Sequence, residues 1–314
     1  MENSSVEFMF VLHGLNDTRK NKHIYFAFGV VVYTVTLFVN FLLVITIILD
    51  KSLHEPMYHF LCSLYVNGIC GASCFYPKIL ADLLTDTRTI SYRGCFSQIF
   101  LVFWYAFCEF TCLTVMAYDR YVAICKPLEY HFIMTKKRVL NLLLFTWFFS
   151  FLETSVGTAM TIRLPLCGNT IDKIFCFNWD VVKLSCIDVT VNNIYGYVLI
   201  FCHVSQVVFI IISYIRIIRA SMRSKTQQVK FMQTCLPHLI TLFNFIISML
   251  SDALCARYGQ GQGMQALRNI LGMDFLVVPP LLNPLVYGIR MLQIRSSFVK
   301  LYSHKVNFLT SLTH

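Results

Sequence analysis

A chain of 314 residues that is 57% hydrophobic and only 13% charged, with a mean hydropathy of +0.63, carries more apolar surface than one water-bathed core hides; an ordinary soluble protein is about a quarter charged. Lipid is the expected solvent. In that setting the net charge of +10 reads as membrane topology and contact with anionic membrane lipid, and it excludes no class so clearly as a nucleic-acid binder.

The chain opens with a tail, residues 1–23, holding the sequons Asn3-Ser-Ser and Asn16-Asp-Thr, which occur nowhere else. A sequon is used only in the secretory lumen, so Asn3 and Asn16 are expected glycosylation sites. The tail's one apolar stretch, FMFVL, is too short for a cleavable signal peptide, and the first span is expected to serve as the insertion signal.

Seven runs of about 20 apolar residues follow, the length that crosses a bilayer as a helix. Ile24–Leu49 has no charge. Met57–Pro77 comes next, then Phe96–Tyr118, interrupted only by Glu109. Val139–Ile162 contains only Glu153, and Val189–Ile215 and Phe231–Ser251 contain no acid, lysine or arginine. Asn269–Ile289 holds only Asp274. None alternates as a barrel strand would. The fold class expected is an all-α membrane protein: a seven-helix transmembrane domain over 24–289, then a cytoplasmic amphipathic helix and tail over 290–314. Met291, Ile294, Phe298 and Tyr302 form one apolar stripe in that last segment, suited to a membrane surface.

With Met1 outside, the inner loops and tail hold 15 of the 26 basic residues against four acids, and the outer face 11 against eight. The positive-inside rule favours that orientation. Loops are short except the second outer one, Arg163–Asp188, so no second domain is expected. Cys95, Cys167, Cys176 and Cys186 fall outside, where an even number suggests two disulfides; four cysteines allow three pairings, and the spacing leaves the choice open. Those spacings do not make a zinc knuckle. There is no GxxxxGK[ST], no HExxH, and no converging acid–base–nucleophile set, so neither an enzyme nor a cofactor is expected.

At "MAYDRYVAIC" (116–125) a resemblance becomes visible. Asp119-Arg120-Tyr121 at the inner end of the third of seven helices resembles the rhodopsin-like G-protein-coupled receptors, and the longer string resembles their odorant-receptor branch. Companion motifs stand in register: "LHEPMYHFL" (53–61), "SY" (213–214), "KFMQTCLPHL" (230–239) and "PPLLNPLVYGIR" (279–290). "NGICGASCFYPK" (67–78) is similar to fish-type members more than mammalian ones.

The resemblance implies a plasma-membrane receptor for a small-molecule odorant, acting through a heterotrimeric G protein of the stimulatory olfactory type and cyclic AMP. It implies a switch at Asp119, Arg120 and Tyr121, completed by Tyr214, Asn283, Pro284 and Tyr287, with Asn40 and Trp147 as anchors. Arg120 is read as an interfacial side chain that lies against Asp119 until released to the partner. The resemblance also implies disulfides Cys95–Cys176 and Cys167–Cys186. A pocket is implied between helices 3, 5, 6 and 7. Helix 3 offers Val102, Phe103, Ala106, Phe107 and Phe110; helix 5 offers Val198, Leu199, Cys202 and His203. Helix 6 adds Met249, Leu250 and Ala253, and helix 7 adds Met273 and Leu276. Val102 stands where amine-binding receptors carry a carboxylate. Gly68, preceded by Asn67, stands where the wider family has a second acid, leaving Glu109 as a weak sodium contact and no other metal ligand. The competing readings are a non-olfactory rhodopsin-like receptor and a membrane transporter; against the latter, no paired broken helices recur in two halves.

Overall fold

The computed structural model describes residues 8–13, 22–85, 87–222, 225–258, 265–291 and 293–301, the side chains at 226, 227, 230, 233, 234, 250–258, 265–272, 289 and 290 excepted. Asn3, Asn16 and Tyr302 lie outside the described residues. In chain order the helices are α1 (Lys22–Leu49), α2 (Pro56–Thr85), α3 (Tyr92–Cys125), α4 (Tyr130–Ile133) and α5 (Lys136–Ile162). They continue as α6 (Asn178–Val182), α7 (Thr190–Ser221), α8 (Lys225–Tyr258), α9 (Gln265–Arg290) and α10 (Gln293–Leu301).

Seven of these run 26 residues or more, about 39 Å at 1.5 Å per residue. By length and composition, α1, α3, α5 and α7 are apolar enough to cross a membrane; α9 and α10, bent by 85° to one another, add a fifth if taken as one span. Among the described residues that is fewer than seven, and α2 shows one physical reason. That helix runs two turns beyond Pro77, through Lys78 and Asp82, and buries Asn67. Its polar residues are turned inward or toward its end. Conversely, α1 and α7 leave Phe28, Phe38 and Phe201 well exposed, so their apolar side chains face outward rather than into a core.

The tail's apolar stretch, too short for a signal peptide, holds a strand. β1 (Met9–Leu12) pairs antiparallel with β2 (Thr89–Ser91) and parallel with β3 (Thr170–Ile171), in the order β2-β1-β3. Phe10 and Leu12 point into a small core with Ile90, Phe96, Ile171 and Val181. Ser91 ends the strand and caps α3, accepting from the Gly94 N–H at 3.2 Å. Two disulfides fasten this end: Cys95–Cys176, with Cα atoms 5.4 Å apart, and Cys167–Cys186, at 5.2 Å.

Three prolines inside α9 organise the middle of the bundle. A proline in a helix leaves the carbonyl four residues back without its N–H partner. For Pro279 that carbonyl belongs to Phe275, and the Tyr105 hydroxyl donates to it at 3.0 Å. For Pro284 it belongs to Pro280, and the Asn40 amide donates to it at 2.7 Å. Both substitutes are buried side chains on other helices. Tyr105 reaches α9 only because α2 has glycine at 71, where a Cβ would sit 2.4 Å from the tyrosine ring. The core of α2, α3, α8 and α9 therefore closes around α9's missing hydrogen bonds.

Candidate functional site

Near the disulfide end, α3, α5, α7, α8 and the segment around α6 line a cavity of about 510 Å³. On α3, Phe103, Ala106, Phe107 and Phe110 line it, a spacing of three and four that puts them on one stripe. Leu199 and His203, one turn apart on α7, and Met249 on α8 also line it. Val102 and Val198 do not. Val102 is buried in the helix core, and Val198 is 56% exposed on the outside of α7, because one residue along a helix turns a side chain through about 100°. Cys202 likewise sits off the stripe. The side chains of Leu250 and Ala253 lie outside the described residues.

The expected seventh-helix wall is replaced by α5. Met273 and Leu276 pack into the central core instead of the cavity, while Glu153, Thr154, Gly157 and Thr158 line it. Phe177, Trp179 and Val182, from the disulfide-bonded loop, also line it. Sequence reasoning counted Glu153 only as an interruption. The signal was present: a lone acid in an apolar span is a functional candidate by default. Asp274, the lone acid of its own apolar run, instead accepts from Ser248 and ties α9 to α8. Asp252 lies outside the described side chains.

Beneath the cavity a series of buried polar contacts follows α3. Glu109 accepts from Asn67 at 2.8 Å on one oxygen and from Asn283 at 2.6 Å on the other. Asn67, one position before the expected acid, thus supplies a donor where a second carboxylate would stand. Gly68 leaves room for Asn40, whose amide oxygen lies 3.3 Å from where a Cβ would be. Among the described residues no three His, Cys, Asp or Glu gather as a metal site.

About one turn further along α3, His238 on α8 lies 3.0 Å from the Leu113 carbonyl through Nε2 and is hydrogen-bonded to the Tyr214 hydroxyl through Nδ1. A carbonyl only accepts, so Nε2 carries the proton and Nδ1 accepts from the phenol. Thr241 donates to the His238 carbonyl at 3.0 Å, which leaves the Tyr287 hydroxyl, 3.1 Å away, as donor to Thr241. The motif KFMQTCLPHL contained His238, but nothing in its spacing assigned it this contact. Trp147 donates to Ser63 at 2.9 Å and joins α5 to α2.

At the far end, about 21 Å along α3 from Ala106, Arg120 bonds Asp119 through Nε at 3.0 Å and through Nη2. Tyr130 on α4 donates to the other Asp119 oxygen at 2.9 Å. Asp119 is fully buried and Arg120 only 8% exposed. Arg120 is therefore packed inside the bundle rather than held at an interface. Burial, then the Asp119 charge, pushes the Tyr130 phenol well above its ordinary range. Tyr121 points elsewhere: Arg216 on α7 reaches its hydroxyl at 3.4 Å. At the same end, the Ser297 hydroxyl on α10, then the Ser52 N–H, hold the Asp50 carboxyl down at about 2.

A family profile for olfactory receptors matches residues 29–305. The chain is 35% identical to olfactory receptor 4E1 of Homo sapiens, over 97% of this chain and 96% of that one. It is 33% identical to olfactory receptor 4E2 of Mus musculus, over 95% and 96%. It is 31% identical to olfactory receptor 1 of Rattus norvegicus, over 96% of each.

Proposed function

The chain belongs to the olfactory receptor family, a multi-pass protein of the plasma membrane and not an enzyme, and on that premise we propose that it binds a small odorant in the α3–α5–α7–α8 cavity and activates a heterotrimeric G protein at its Arg120 end. All seven long helices cross the membrane, with the tail outside and α10 along the inner leaflet. Residues 24–289 are the transmembrane domain, 1–23 the outer tail and 290–314 the inner helix and tail. Asn3 and Asn16 carry glycans. The partner is the stimulatory olfactory G protein, and cyclic AMP is the output.

One observation carries this reading. The stripe that lines the cavity and the Asp119–Arg120 pair belong to one helix, and between them α3 is joined to α2, α8 and α9 through Glu109 and the Leu113 carbonyl. A ligand that displaces α3 or α8 at the cavity changes partners along that line. Lysines and arginines concentrated toward the Arg120 end support the orientation, as does the tail strand at the disulfide end.

The test is a surface-tagged receptor in cells carrying the stimulatory olfactory G protein, exposed to a broad panel of volatile compounds with cyclic AMP as readout. At least one compound is expected to raise cyclic AMP in the wild type and not in an Ala106→Phe variant present at the surface. Silence to the whole panel, with surface staining intact, would overturn the reading.

A further inference from the structure

Glu153 on α5 and His203 on α7 face one another in the cavity wall with Oε2 and Nε2 4.0 Å apart. That gap is too long for a hydrogen bond. Oε2 of Glu153 and both ring nitrogens of His203 are buried and have no hydrogen-bond partner. Buried polar atoms in this state are rare, and each costs about 1–3 kcal/mol unless something satisfies it. A single donor atom seated between them, roughly 2.8–3.0 Å from each, would satisfy both.

The surroundings select the chemistry of that atom. Aromatic rings crowd the site: Phe107 lies 4.7 Å and Phe110 5.4 Å from the His203 ring, centroid to centroid, with Phe103 and Phe177 further up the wall. Ring faces attract cations. An ionised carboxylate buried here requires a positive partner. Lys173, over the Phe177 ring, has its own carboxylate in Asp180 at 3.9 Å. An aldehyde, ketone or carboxylate ligand presents only lone pairs to Glu153. An alcohol donates one hydrogen but brings no charge. An ammonium group donates to both Glu153 and His203 and supplies the charge.

We infer that this cavity is specific for a small primary amine, its nitrogen bound between Glu153 and His203 and its hydrocarbon part against Phe103, Ala106, Phe107 and Phe110. The inference rests on the receptor reading above and narrows its ligand class. The carboxylate that amine-binding receptors place at the position of Val102 comes here from the neighbouring helix, α5.

Matched probes decide it: hexylamine, hexanol and hexanoic acid, and benzylamine, benzyl alcohol and benzoic acid, applied to the surface-tagged receptor with cyclic AMP as readout. The amine of each set is expected to be more potent than its alcohol by roughly ten- to a hundredfold, the ratio that a charge-assisted bond supplies, with the acid inactive. Glu153→Gln should erase that preference at unchanged surface staining, while Glu153→Asp keeps part of it. The ranking on the wild-type receptor stands as a test even where Glu153→Gln fails to reach the surface. Equal or better potency for the alcohol or acid, or an amine preference that survives Glu153→Gln, overturns the inference. A receptor silent to all six probes but responsive to the broad volatile panel overturns the inference and leaves the receptor reading intact. Silence to both overturns the two together.

Discussion

Asn40 on α1 donates its side-chain amide to the carbonyl of Pro280 on α9, 240 positions away, at 2.7 Å. That carbonyl is the one Pro284 leaves without a helical partner. The contact is therefore a repair made by a side chain for a bond that the backbone cannot make, and it fixes the first long helix against the last.

The repair predicts a rescue. Asn40→Ala should cost about 1–3 kcal/mol by leaving a buried carbonyl unsatisfied, seen as lower surface delivery and a lower melting temperature in detergent. Pro284→Ala restores an N–H at that place, so adding it to Asn40→Ala should recover stability while impairing signalling through the lost kink. Equal destabilisation by the single and double variants would mean that the Asn40 contact does not substitute for the helical bond.

Arg120 gives a second prediction, and a correction to its sequence reading as an interfacial side chain. Because Arg120 is packed against a fully buried Asp119, Arg120→Ala leaves that carboxylate with only the Tyr130 hydroxyl. Breaking a buried pair from one side costs roughly 3–5 kcal/mol. The single variant should thus lose surface staining as well as cyclic AMP output. The paired change Asp119→Asn with Arg120→Gln removes both charges and should return the receptor to the surface without restoring output. Full signalling by the paired variant would show that the charges are not required.

These cases show where the sequence was legible. Long apolar runs reveal helices because hydrocarbon leaves the backbone no alternative, and the seven runs coincide with the seven long helices. The strand at Met9–Leu12 was not legible, since its partners at Thr89–Ser91 and Thr170–Ile171 are joined only by the fold. On the cavity wall, periodicity identified the α3 stripe but not its phase: Val102 and Phe103 are equally apolar, and only packing separates them. Glu153 was visible as a charge, but its meaning came from facing His203 across two helices.

A third prediction concerns acid. The Asp50 carboxyl is depressed from its ordinary value of 3.8 to about 2, chiefly by the Ser297 hydroxyl. A depressed carboxylate contributes stability that is fully present above its unfolded value and lost as pH falls through the folded one. The docking of α10 on the Asp50 turn should therefore be constant through the neutral range and weaken only between about 4 and about 2. Asp50→Asn and Ser297→Ala should each quicken amide exchange over residues 293–301 at neutral pH. Unchanged exchange in both would show that this contact does not hold α10.

The last prediction separates two residues that the sequence grouped together. Ala106 lines the cavity and is 2% exposed, whereas Val198, on the same proposed pocket by sequence, is 56% exposed on the outer side of α7. A phenylalanine at 106 has no outlet except the cavity, so it takes up space that a ligand needs. Overpacking there costs about 1–3 kcal/mol, which the surface signal will report and by which responses are normalised. Ala106→Leu should raise the concentration needed for half-maximal cyclic AMP, and Ala106→Phe should abolish the response to the same agonist. Phenylalanine at 198 extends away from the protein and should leave potency unchanged. If Val198→Phe shifts the response as far as Ala106→Phe, then ligands reach the receptor on the outer face of α7 and the α3–α5–α7–α8 cavity is not where they bind.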